Sequence, residues 1–60
     1  MRYPKYAYYV VLKDSGLVVA GHEDRADAAD ARLDLGIPPE RTQVLTAVGV
    51  VRKYGQIKWA

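Results

Sequence analysis

The chain contains no cysteine, a single serine and a single histidine, and no run of apolar residues long enough for a membrane span. The missing cysteine removes disulfides, thiolate zinc sites and thiol nucleophiles together, and is ordinary for a reducing compartment. A membrane helix needs roughly 20 apolar residues, and no stretch approaches that. The first eleven residues carry Arg2 and Lys5 but also four tyrosines, with no apolar core and no small-residue cleavage site. They do not read as a signal peptide, so the expected location is the cytoplasm. The one serine and one histidine leave little for nucleophilic catalysis. Ser15 sits in a turn and His22 at the far end of the same hairpin, about 15–20 Å away at about 3.3 Å per residue. The expectation is therefore a protein that is not an enzyme, with no cofactor and no metal.

Length sets the next bound. Sixty residues make one small α+β domain with a thin core, close to the stability threshold, and natural domains of this size often add a disulfide, a metal or a second copy of themselves. With no cysteine, and no second histidine to complete a ligand set around His22, Glu23 and Asp24, self-association is the remaining device. The net charge of +2 hides a segregated pattern. Residues 1–13 hold Arg2, Lys5 and Lys13 and no acid. From Asp14 to Glu40 all seven acids face only Arg25 and Arg32, and residues 41–60 return to cations at Arg41, Arg52, Lys53 and Lys58.

Tyr6 to Lys13 is dense in aromatic and β-branched residues and reads as a strand. Asp14-Ser15-Gly16 fits a turn ending in a left-handed glycine, and Leu17 to Gly21 reads as the returning strand. Simple alternation groups Val10 and Leu12 with Val18 and Ala20, and Tyr9 and Val11 with Val19. Asp24 to Leu35 reads as a helix, with Asp24 placed to accept a hydrogen bond at its start and Gly36, Pro38 and Pro39 ending it. At 100° per residue Ala26, Ala29 and Leu33 form one stripe, expected against the sheet, and Asp27, Asp30 and Asp34 form an acidic one. A third strand begins near Gln43 and runs through Thr46. Beyond it, Ala47 to Tyr54 fits either more strand or a short helix capped by Gly55, with Val48, Val51 and Tyr54 spaced for one face. The reading is a ββαβ domain, one helix packed on an antiparallel sheet, with the place of the third strand open.

Both faces of the hairpin are apolar, and one helix covers only one of them. The other, bearing Tyr9, Val11 and Val19, must meet the C-terminal tail, a second copy in a homodimer, or a protein partner. The acidic helix stripe suits a basic partner or simple solvation. An alternative is nucleic acid bound by the basic, aromatic ends, through Arg2, Lys5, Arg52, Lys53, Lys58 and Trp59, although no RNA- or DNA-binding signature accompanies them. Finally, Ala20-Gly21-His22-Glu23-Asp24-Arg25-Ala26-Asp27-Ala28-Ala29-Asp30 resembles a segment of short bacterial reading frames of unknown function, in which Gly, an aromatic, Glu and Arg precede Asp-Ala repeated along a helix. His22 takes the aromatic position, and the resemblance implies no activity.

Overall fold

A computed structural model describes residues 6–60. Strand β1 (Tyr8–Leu12) and strand β2 (Val18–His22) form the hairpin, helix α1 (Arg25–Asp34) follows, and a 3₁₀ turn (Pro39–Arg41) leads into β3 (Thr42–Thr46) and helix α2 (Ala47–Tyr54). The sheet order is β2-β1-β3 with both pairings antiparallel, so β3 lies beside β1 and β1 is central. This is the expected α+β, ββαβ order, extended by a second helix.

The hairpin turn closes as its sequence requires. Gly16 has φ 76°, its amide donates to the Leu12 carbonyl at 2.8 Å, and the Leu12 amide donates to Leu17 O at 2.9 Å. The register then departs from simple alternation. Tyr8, Tyr9 and Val10 pair with His22, Gly21 and Ala20, but Val11 pairs with Val18, leaving Val19 as the extra residue of a bulge. A bulge sets two residues against one and shifts the facing of everything beyond it. Val18 therefore joins the Tyr9 and Val11 side, and Val19, half-buried, takes the irregular position.

The α1 start lacks the expected side-chain cap: Asp24 is extended, and only its carbonyl engages the helix, accepting from Ala28 N at 3.1 Å. The helix is also rotated from the face that its apolar pattern predicts. Ala28 is fully buried with Ala31, Arg32 and Leu35 half-buried beside it, while Ala26, Ala29 and Leu33 point outward. The reason is Arg32, whose Nε donates to Thr42 Oγ1 at 2.9 Å and whose Nη2 donates to Pro39 O at 2.6 Å. An arginine covers apolar surface with its stem when its head finds acceptors, so it replaces Leu33 on the inward face.

The C-terminal segment is helical. Thr46 accepts from Gly49 N at 3.0 Å as the N-cap, and Gly55, at φ 86°, closes α2 by donating to Val51 O at 2.8 Å. Its inward side is Ala47, Val50 and Tyr54, so Val48 and Val51 are exposed rather than packed. After α2 the chain returns along β2. Val18 N donates to Lys58 O at 2.8 Å, and Ala60 N donates to Val18 O at 2.9 Å, a short parallel bridge centred on Trp59. Tyr9, Val11, Val18 and Val50 form the core on this side, closed by Tyr6, Leu45, Ala47, Tyr54 and Ile57. Val10 and Ala28, both fully buried, make the thinner layer under α1.

Two rings lie directly on glycines. A Cβ at Gly16 would overlap the Tyr54 ring, and one at Gly21 would overlap the Tyr6 ring, whereas nothing lies within 4 Å of a Cβ at Gly36. Gly16 and Gly36 share a left-handed backbone, at φ 76° and 73°. Gly36→Ala should therefore lose only about 1 kcal/mol of stability, to added backbone strain. Gly16→Ala should lose about 1–3 kcal/mol more, because Tyr54 must move. Equilibrium urea denaturation of both variants checks this, and equal losses would show that Tyr54 does not rest on the turn.

Candidate functional site

The apolar face expected to meet a partner is occupied by the chain itself. Tyr9 is 2% exposed and Val11 is fully buried, both under α2 and the returning tail. Of the covers weighed from sequence, the tail is the one in place. A partner could reach Tyr9 and Val11 only by displacing it, and Val19 lies off their register because of the bulge. The tail is held by its backbone bridge to Val18 and by three rings meeting edge to face: Tyr6 with Tyr9, Tyr6 with Trp59 and Tyr9 with Trp59, centroids 6.1, 6.2 and 6.0 Å apart. Such contacts add about 0.5–1.5 kcal/mol per pair to area burial.

The basic residues expected to meet nucleic acid are dispersed. Arg2 and Lys5 lie outside the described residues. Arg52 and Lys53 are exposed on the last turn of α2, where cations suit the negative end of the helix, and Lys53 Nζ stands 5.6 Å from the Tyr54 ring centroid. The Lys58 carbonyl and the Trp59 backbone belong to the tail bridge, while the Trp59 side chain keeps 51% of its surface exposed.

Ser15 and His22 do not come together. The Ser15 hydroxyl accepts from Leu17 N at 3.3 Å within the turn, and His22 ends β2 opposite Tyr8. His22 Nε2 is buried with no hydrogen-bond partner among the described residues, while Glu23 and Asp24 are exposed. No three His, Asp or Glu side chains converge among the described residues.

What the fold does bring together is a set of cations. An open cleft of about 280 Å³ lies between α1 and the β1–β3 pair, lined by Lys13, Arg25, Arg32, Thr42 and Gln43 with Ala29 and Val44. Arg25, Ala29 and Arg32 fall at i, i+4 and i+7, one side of α1. Lys13 arrives from the end of β1, where its amide donates to Arg41 O at 2.9 Å. No acid lines the cleft among the described residues. The single ion pair among the described residues joins Arg41 to Asp14 at 3.3 Å, which engages the acid nearest Lys13 in sequence. Neither arginine of α1 has an acid at i±3 or i±4 along the helix. Thr42 is fully buried; its hydroxyl accepts from Arg32 and donates to Pro39 O at 3.2 Å, fixing the guanidinium with neutral partners only. Sequence reasoning counted these cations only within charge blocks. The i, i+4, i+7 spacing of Arg25, Ala29 and Arg32 was the signal that marked their shared side.

Comparison with family models, with curated proteins and with solved structures finds no match to this chain.

Because Val11 belongs to the internal core, Val11→Asp should abolish the cooperative thermal transition followed by circular dichroism, since an unpaired charge there costs several kcal/mol. A variant that stays folded and changes only its association state would return Val11 to the surface.

Proposed function

We propose that this chain is a small non-enzymatic interaction module that works through the outer sides of its two helices. The observation that carries the reading is Leu33, 64% exposed on the outer side of α1 beside Ala26 and Ala29 and next to the carboxylates of Asp27, Asp30 and Asp34, which pair with no cation among the described residues. Like charges three and four residues apart repel, and a basic partner relieves them. The best partner surface is apolar and cationic. The chain's own α2 offers that combination in exposed Val48, Val51, Arg52 and Lys53, so a second copy is the first partner to consider.

The two helices cover opposite faces of the sheet, which makes an α1-to-α2 contact between copies head-to-tail, building a ring or an open chain rather than a closed twofold dimer. Sedimentation equilibrium over a wide concentration range should show mass rising without a plateau at the dimer. Leu33→Asp should return the protein to a monomer with its fold intact. A chain monomeric at every concentration, or an association that Leu33→Asp leaves unchanged, would overturn self-association through α1. A reducing, cytoplasmic setting fits the absence of cysteine, and no helix among the described residues is long and apolar enough to cross a membrane.

A second reading, binding of nucleic acid, is favoured by Arg52, Lys53 and Lys58 standing exposed without carboxylate partners among the described residues, with half of Trp59 open for stacking. Affinity for a single-stranded oligonucleotide would then fall steeply between about 50 and 200 mM salt. It would also drop on Lys53→Ala and Lys58→Ala, whereas apolar association through Leu33 would not.

A further inference from the structure

We infer that the cleft between α1 and β3 is a binding site for the phosphate group of a small phosphorylated ligand, held by Lys13, Arg25 and Arg32. This inference stands apart from the proposed helix contacts, since it uses neither Leu33 nor α2.

The cations reach the cleft from the end of β1, the first turn of α1 and its third turn, and only the tertiary fold makes them neighbours. None is paired with a carboxylate among the described residues. Three positive charges around one concavity raise its potential, repel one another and attract anions. Arg32 is already oriented. Its Nε and Nη2 are committed to Thr42 Oγ1 and Pro39 O, while no acceptor among the described residues engages its Nη1, so part of the fork remains for a ligand without further ordering. A guanidinium fork matches the oxygens of a phosphate, and ammonium groups add charge.

Arg25 supplies an independent argument. It is the first residue of α1, where the helix end is positive and a cation is unfavourable. Among the described residues it makes no ion pair and no side-chain hydrogen bond that would offset this. Its place is explained by an anion in the cleft and not by helix stability. The latch from Arg32 to Thr42 and Pro39 likewise accounts for Arg32 but for neither Arg25 nor Lys13.

Charge and size select the ligand class. Three cations in a cleft whose described lining holds no acid suit a dianionic or more highly charged oxyanion better than a lone carboxylate. A space of about 280 Å³ equals roughly nine water volumes, room for one or two phosphate groups. Nucleic acid needs an extended basic track, and of the other exposed cations Arg52 and Lys53 sit on α2, across the sheet, with Lys58 on the returning tail.

The test is a ¹H–¹⁵N NMR titration of the full chain with inorganic phosphate and with pyrophosphate, using sodium chloride at matched ionic strength as control and a single-stranded DNA oligonucleotide as a third arm. The expected result is saturable shifts confined to Lys13, Arg25, Arg32 and Thr42 to Val44, with pyrophosphate tighter than phosphate and chloride without effect. Lys13→Gln with Arg25→Gln should weaken pyrophosphate at least about tenfold, while the unliganded unfolding midpoint stays equal or rises. Either change separates a ligand site from a structural one. Shifts that do not saturate, shifts equally large at Arg52 and Lys58, or unchanged affinity in the double variant would overturn the proposal. An oligonucleotide that binds more tightly than pyrophosphate, with shifts reaching α2 and the tail, would overturn it in favour of nucleic acid.

Discussion

The architecture depends on β1 being buried from both sides. Tyr9, Val10 and Val11 are consecutive and all three are buried, so alternation sends apolar side chains to both faces of a strand that also pairs on both edges. In water such a strand is stable only between two covers. A chain this short must supply both from what remains after the sheet is made. Helix α1 covers one side and α2 with the returning tail covers the other, which leaves almost no segment without a packing duty. Each fully buried valine contributes about 1.5–3 kcal/mol, so the few residues Val10, Val11, Val18 and Val50 carry much of what holds the domain together.

The second cover is held by aromatic side chains set on glycine. The Tyr54 ring rests on Gly16, and its hydroxyl accepts from Gln43 Nε2 at 3.0 Å while donating to Lys13 O at 3.2 Å, so one residue joins the hairpin turn to α2 and β3. At the other end, Tyr6 rests on Gly21 and meets Tyr9 and Trp59. A ring satisfied at its hydroxyl and closely packed over its face fixes position as well as adding area. These two anchor points bracket the hairpin and bring Trp59 back beside Val18. The hydrogen bonds from Val18 N and Ala60 N then cover part of the otherwise open β2 edge.

Local signals were legible where one residue type has one use. Gly16, Gly36 and Gly55 take the left-handed conformations that end a turn and two helices, and the span of α1 follows from its alanines and the prolines beyond it. What was not legible came from choices made in three dimensions. The bulge at Val19 costs nothing visible in a run of valine and alanine, yet it moves Val18 to the opposite face. The rotation of α1 turns on Arg32 finding Pro39 O and Thr42 Oγ1, partners seven and ten residues on, which no count of apolar side chains weighs. The α2 segment is rich in β-branched residues and reads as strand by propensity. Its Thr46 cap and Gly55 terminus, together with the demand for a second cover, decide for helix.

That rotation also explains how so few residues come to present distinct surfaces. With Ala28, Ala31 and Leu35 turned inward, the rest of α1 divides into a cationic flank at exposed Arg25 and half-buried Arg32, an outward apolar ridge at Ala26, Ala29 and Leu33, and an acidic side at Asp27, Asp30 and Asp34. Had Leu33 packed inward as its pattern suggests, Arg32 would have left the cleft and the cations would not converge. The separation of charges across the helix is therefore a consequence of the same two hydrogen bonds that dock it. A helix stabilised for its own sake would interleave acids and bases at i and i+4 and place acids rather than Arg25 at its first position. This one keeps its signs apart at some cost in stability.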